Sequence, residues 1–249
     1  MSTGSTSTAV VTGAGGGIGA AIAQALAAQG ASVAVSDIDL DAAAATAELI
    51  ADQGGSAAPF QLDVTNADSV EQLRKAVEET FGPASVLVNN AGWGQPELFV
   101  ENKPAVWEKL VAVNFLGQVT VTRAFIDPMI ESEGGRIVNI ASDAGRVGSS
   151  GETVYAGTKG GVIAFTKSLA RELARYRINV NCVCPGPTDT ALFHKHTDKM
   201  QEALVRAIPF RRLAQPEEIA DAVAFFASER ASFITGQVLS VSGGLTMVD

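Results

Sequence analysis

Ser142, Tyr155 and Lys159 are the residues of this sequence whose types and spacing most directly suggest chemistry. Tyr and Lys four positions apart share one face of a helix. A tyrosine ordinarily loses its proton near pH ~10, so one that exchanges protons at neutral pH needs a cation beside it to stabilise the phenolate. Lys159 is placed to be that cation. A hydroxyl donor such as Ser142, on a loop facing the same pocket, would hold a carbonyl or alcohol oxygen against the tyrosine. Taken alone, a Tyr-x-x-x-Lys pair is more often an exposed tyrosine and lysine on an ordinary helix, so the rest of the chain must decide.

The first elements that could position such a site lie near the start. Residues 9–12 are a short β-rich run, and Gly13-Ala-Gly-Gly-Gly17-Ile18-Gly19 then opens an Ala-rich helix over 20–29 closed by Gly30. Strand, glycine turn and helix in that order let the backbone approach a pyrophosphate and turn amides and the positive helix end toward its charge. A strand over 32–36 ends at Asp37, where a dinucleotide fold presents an acid to the adenosine ribose. A carboxylate there accepts from both ribose hydroxyls and repels a 2′-phosphate, and no Arg or Lys occurs between residues 14 and 48 to partner one. The cofactor expected is NAD, with a plain loop or cap role for Asp37 as the alternative.

The alternation continues. Helical patterns cover 42–51, 67–81, 104–112, 115–131, 152–176 and 216–228, and strand patterns cover 57–62, 85–89, 136–140, 178–183 and 237–241. Repeated βα units predict an α/β chain with one Rossmann-type, doubly wound domain over 1–249, about seven parallel strands with helices on both faces, and a ligand along the edge where the strands end. Gly160 and Gly161 inside a helix cost about 1 kcal/mol each relative to Ala, so something is expected to approach closely there.

Apolar residues make up 47% of the 249 and charged residues 18%, which describes a well-packed chain and excludes a disordered or fibrous one. No apolar run spans a bilayer, and a net charge of −9 argues against nucleic-acid or anionic-membrane partners. The first eight residues have neither a basic start nor an apolar core, so a short frayed tail and a cytoplasmic location are expected. Cys182 and Cys184, two apart on a strand, read as buried small side chains and not as a bridge. After Pro185-Gly-Pro-Thr-Asp-Thr190, residues of about 190–210 are expected to form a substrate lid, mobile or in short helices. His194 and His196 lack a third ligand, so no metal is expected. Lys195 and Lys199 read as part of a solvated face, with contact to a substrate phosphate as the alternative.

Together these residues resemble the short-chain dehydrogenase/reductase family along nearly the whole chain. Thr12-Gly13-x-x-x-Gly17-x-Gly19 is similar to its cofactor turn, Asp63-Val64 to its adenine contact, and Asn89-Asn90-Ala91-Gly92 to its central-sheet motif. Asn114, Ser142, Tyr155 and Lys159 are similar to its catalytic tetrad, and Pro185-Gly186 with Thr188 and Thr190 to its nicotinamide-side loop. The resemblance implies that Tyr155 transfers the proton, Lys159 lowers its pKa and holds the nicotinamide ribose, Ser142 orients the substrate oxygen and Asn114 positions a relay water. It implies cofactor contacts at Gly13, Gly17, Ile18, Gly19, Asp37, Asp63, Val64, Asn90, Gly92, Tyr155, Lys159, Gly186, Thr188 and Thr190. It also implies a small-molecule substrate and a homotetramer, with helices from Phe115 and Glu152 at one interface and the last strand with its apolar tail at another.

The segments 139–152, 184–190 and 236–247 are similar to 2-hydroxycyclohexane-1-carboxyl-CoA dehydrogenases, and the chain more distantly to 3-oxoacyl-[acyl-carrier-protein] reductases. That implies a hydroxyacyl thioester or a cyclic or aryl secondary alcohol, walled by Trp93 and Gly94, by 146–150, and by Leu192 and Phe193. Trp93 reads equally as plain packing. Two positions depart from the family pattern: Asp143 after Ser142, expected to alter pocket polarity, and Ser242 before Gly243-Gly244, expected to affect C-terminal packing. A nucleotide-binding regulatory protein that keeps the fold without catalysis is the alternative of another class.

Overall fold

The computed structural model describes residues 7–248, so the opening tail lies outside the described residues except for its last two, and Thr8 already begins a strand. Aliphatic runs without polar alternation, such as Ala9-Val10-Val11 and Val33-Ala34-Val35, bury both faces of a strand and therefore suit a sheet covered on either side. The strands are β1 (Thr8–Thr12), β2 (Ser32–Asp37), β3 (Ser56–Gln61), β4 (Val86–Asn89), β5 (Gly135–Ile140), β6 (Ile178–Pro185) and β7 (Val238–Val241). They form one seven-stranded parallel sheet in the order β3-β2-β1-β4-β5-β6-β7. Pro59, which cannot donate to a ladder, sits in the edge strand β3.

The helices are α1 (Gly17–Ala28), α2 (Leu40–Asp52), α3 (Ala67–Phe81), α4 (Pro104–Val111), α5 (Gly117–Glu131), α6 (Ala144–Val147), α7 (Thr153–Leu173), α8 (Asp198–Ala207) and α9 (Pro216–Phe226). On one face Ile22 and Leu26 of α1, Ile50 of α2 and Ile219 and Val223 of α9 pack together against the sheet. On the other, Leu73 of α3, Phe125 and Met129 of α5 and Leu173 of α7 do the same. This is the doubly wound architecture that the alternation predicts.

Three local differences matter for the site. The helices expected over 104–112 and 115–131 are one continuous run, because a π turn over Ala112–Leu116 joins α4 to α5 and places Asn114 at its centre. The loop expected around Ser142 contains the one-turn helix α6. The lid segment holds a 3-10 turn, Phe193–Lys195, followed by α8. Cys182 and Cys184 are fully buried free thiols with sulfurs 4.0 Å apart.

A polar ladder crosses the core beneath the strand ends. Asn89 Nδ2 donates to Thr122 Oγ1 and to Asn139 Oδ1, both at 2.8 Å, and Asn139 Nδ2 donates to Thr166 Oγ1 at 2.9 Å. β4 and β5 are thereby tied to α5 and α7, the helices that carry the site. Buried polar groups of this kind stabilise only while each keeps its partners. Asn139→Ala strips a partner from both Asn89 and Thr166 and opens a small void, so the unfolding free energy is expected to fall by about 2–4 kcal/mol. Urea denaturation checks this; an unchanged midpoint would make the ladder dispensable.

Candidate active site

The site starts at the glycine turn. Gly13 (φ +64) and Gly17 (φ +54) occupy the left-handed region, and a Cβ on Gly19 would stand 2.0 Å from the Gly13 carbonyl oxygen. Only glycines let α1 begin this close to the end of β1. Thr12 Oγ1 accepts from the Asn90 and Ala91 amides, each at 3.0 Å, while Asn90 Nδ2 donates to the Thr12 and Gly13 carbonyls at 3.0 and 2.9 Å. The turn is thus stapled where β1 and β4 part, the switch point at which such sheets bind ligands. Gly16 has open space beside its Cα, next to the first amides of α1. Asp37 Oδ2 accepts from the Gly15 amide at 2.9 Å, and its Oδ1 from Asp39 at 3.1 Å, so the acid braces the turn it was expected to neighbour. Asp63 Oδ1 accepts from the Thr65 amide and hydroxyl.

One cavity of about 850 Å³ runs from this turn to the lid. Its walls bring together Gly13, Ile18, Gly19, Asp37, Asp63, Val64, Asn90 and Gly92 with Ser142, Tyr155, Lys159, Gly186, Thr188 and Thr190. Trp93, Leu192, Phe193 and residues 147–150 also line it. One expected site residue stands behind the wall. Gly17 is exposed beside it, where a Cβ would meet the wall residue Thr190 at 3.5 Å, while the wholly buried Asn114 clamps the loop after β4: its Oδ1 accepts from the Trp93 amide and its Nδ2 donates to the Trp93 carbonyl, both at 2.8 Å. The Asn114 side chain thus holds Trp93 from both sides of its amide, and Lys109 Nζ lies 4.4 Å from the centre of the Trp93 ring.

Ser142 Oγ accepts from the Ala144 amide at 3.1 Å, which leaves its proton free to point elsewhere. Gly145 makes room for this corner, since a Cβ there would stand 2.7 Å from the Gly160 amide nitrogen; α6 rests directly on α7 next to Lys159. Burial, then the charge of Glu152, push the Tyr155 hydroxyl above the usual tyrosine range, against the pull of the Ser142 hydroxyl. That direction is opposite to the lowered value the resemblance implied, and the reason is geometric. Lys159 Nζ donates to the Ile140 carbonyl at 2.8 Å and lies 5.7 Å from the tyrosine ring centre, and its own burial pulls it down to about 8. Away from the cavity wall, His194 pairs with Asp189 at 2.8 Å, and that hydrogen bond raises the imidazole above its usual value. Among the described residues no cluster of three or more His, Cys, Asp or Glu is arranged to hold a metal, and no helix is long and apolar enough to cross a membrane.

Comparison with known proteins decides the family. Residues 13–246 match a family described as enoyl-(acyl carrier protein) reductase. The chain is 41% identical over 240 residues to nodulation protein G of Rhizobium sp. (strain N33), covering 96% of this chain and 97% of that one. It is 41% identical over 248 residues to the (3R)-3-hydroxyacyl-CoA dehydrogenase of Rattus norvegicus, covering 96% of each. It is 40% identical over 240 residues to the 3-oxoacyl-[acyl-carrier-protein] reductase of Vibrio cholerae, covering 96% and 97%. The chain belongs to the short-chain dehydrogenase/reductase family.

As a short-chain dehydrogenase/reductase it is an oxidoreductase working with a nicotinamide cofactor, and its own residues fit one: a side-chain-free turn at a helix start, with an acid at the end of β2. The sequence did not signal Lys109, Leu245 and Thr246 as cavity walls, since each reaches the site from an element far away in the chain. Arg146, expected in the wall with its neighbours, turns away from it.

Lys159 gives a pH test. Its folded value, about 8, lies below the ordinary 10.5, so between those values the unfolded chain binds a proton that the folded chain does not. Stability from this residue therefore rises with pH across that window and is smallest below it. Lys159→Met should flatten that slope relative to wild type in urea denaturation from pH 7 to 10; parallel profiles would show that the lysine is not depressed.

Proposed function

We propose that this short-chain dehydrogenase/reductase is an NAD-linked secondary-alcohol dehydrogenase acting on a hydroxyacyl thioester, with a cyclic hydroxyacyl-CoA ester as the first candidate and an aryl or cyclic alcohol next. The observation that carries this is the meeting of Ser142, Tyr155 and Lys159 in one cavity with the glycine turn and Asp37. The names of two relatives support the thioester, since both describe an oxygen at the third carbon of a carrier-bound acyl chain. The preference for NAD rests on Asp37 against the Gly15 amide and on the absence of any Lys or Arg between residues 14 and 48. A 2′-phosphate would meet a carboxylate without a compensating cation.

Bound nicotinamide supplies the acceptor or donor of hydride at the substrate carbon. Ser142 donates a hydrogen bond to the substrate oxygen, Tyr155 gives or takes that oxygen's proton, and Lys159 sits behind the tyrosine as the group that can carry charge when the pair changes state. Asn114 acts by fixing the Trp93 wall. The same Ser142 and Tyr155 donors would serve a carbonyl oxygen in the opposite direction, so a 3-oxoacyl-thioester reductase, the activity named for one relative, is the second reading.

A cytoplasmic setting agrees with two free thiols. The exposed Leu116, together with Phe233, Leu239 and Met247 around β7, supports a homotetramer using the α5/α7 face and the β7 edge. Sedimentation should give four copies; a monomer would remove that proposal.

The functional test is an oxidation screen from cyclic and aryl alcohols to hydroxyacyl-CoA esters, with NAD and NADP in parallel. NAD should be preferred by about 100-fold or more in kcat/KM, equivalent to about 2.7 kcal/mol. Tyr155→Phe should lower kcat by about 10²–10⁴-fold while leaving NADH affinity unchanged. Cofactor binding without turnover of any alcohol would favour the regulatory alternative.

A further inference from the structure

Asp143 and Ser242, the two positions read as departures from the family pattern, take part in two separate sets of hydrogen bonds that shape the C-terminal segment. Asp143 follows the catalytic serine, is nearly fully buried, and is tied through its amide to the Pro185 carbonyl at 3.0 Å. Its Oδ1 accepts from Ser240 Oγ on β7 at 2.5 Å, and Ser240 Oγ in turn accepts from Arg146 Nη1 at 2.8 Å. The second arm of the same guanidinium, Nη2, donates to the Val248 carbonyl at 2.8 Å. One fork on α6 thus holds two separate parts of the C-terminal segment. At the other end, Ser242 bends the chain: its Oγ accepts from the Thr246 amide at 3.3 Å and its carbonyl from the Leu245 amide at 3.2 Å. The bend puts Leu245 and Thr246 into the cavity wall.

Within a single chain, burial holds little of the end of this segment, since Met247 is 78% and Val248 44% exposed. A terminal segment with so little apolar contact frays unless hydrogen bonds tie it down. We propose that Arg146 is a positioning residue that pins residues 242–248 as a wall of the substrate cavity, and that this wall limits the size of the alcohol admitted. The proposal rests on the dehydrogenase reading for its substrate but not for its anchor. Asp143 contributes by orienting the Ser240 hydroxyl toward itself, so that the Ser240 lone pairs face Arg146.

Arg146→Met keeps the apolar stem and removes the fork. Hydrogen–deuterium exchange on the whole protein should show amides of 245–248 exchanging about 10-fold or more faster in this variant, with the amides of β6 unchanged. Steady-state kinetics over a series of secondary alcohols of increasing bulk, at saturating NAD, should show KM for the smallest rising about 10-fold with kcat within about 3-fold, while bulky members gain relative kcat/KM. NADH affinity should not move. Leu245→Ala should reproduce the shift in size preference without faster exchange. Unchanged exchange in Arg146→Met overturns the anchor whether or not any alcohol is turned over. Faster exchange with an unchanged size preference overturns the wall. A wild-type protein inert toward every alcohol would remove the functional reading and the size-limiting role together, and the exchange result would still decide the anchor.

Discussion

Thr12 and Asn90 hold the ends of β1 and β4 in register through four hydrogen bonds, and the rest of the site takes its position from that junction. The hydroxyl of Thr12 satisfies two amides that leave β4, and the Asn90 amide satisfies two carbonyls that leave β1. Neither strand end could otherwise bury those groups, because parallel strands stop pairing where the chain turns away. With the junction fixed, Gly19 can press against the Gly13 carbonyl, Gly92 can pass beside Asn114 and Lys159, and one cavity serves both the glycine turn and the catalytic side chains.

The same dry surroundings act in opposite directions on the two proton-handling residues. Desolvation penalises charge, so it pushes the tyrosine up and the lysine down, and both are driven toward their neutral forms. The Ile140 carbonyl accepts one of the lysine's three N–H groups, and Gln118 Nε2 donates to that same oxygen at 3.2 Å, so two buried donors converge on the end of β5. Burial thus opposes charge on both groups, although with a value of about 8 the lysine still carries most of its charge at neutral pH. That is a different design from a surface ion pair, where solvent screening leaves little to gain.

Much of this was legible in the sequence because it is written in local spacing. Gly13 to Gly19 after a β-rich run, Asp37 at the end of the next strand, and Tyr155 four before Lys159 each describe neighbours within one or two elements. The parallel sheet with helices on both faces followed from the βα alternation, whereas its strand order came only from the structure. What stayed hidden depends on contacts between distant segments. Nothing near Asn114 says that its side chain closes on Trp93, and nothing near Leu245 says that it meets the cavity. The surroundings of Tyr155 depend on the same kind of contact: four residues of helix put the lysine on the right face, but a carbonyl from β5 takes one of its N–H groups. Asp143 and Ser242 were visible as departures, yet their partners, Ser240 and Thr246, are apparent only once the chain is folded.

The π turn at Ala112–Leu116 joins two helices that answer to different neighbours, since α4 packs on α7 and α5 packs on α3. An extra residue in one turn rotates everything after it by roughly 100° relative to an unbroken helix. The turn therefore works as a phase shifter, letting each half keep its own apolar stripe while Asn114 faces the Trp93 loop. A single-residue deletion here would restore regular helical geometry and improve the helix as a helix, yet it would set one half out of step with its packing partners. The length of this segment therefore matters to the fold alongside the identity of Asn114.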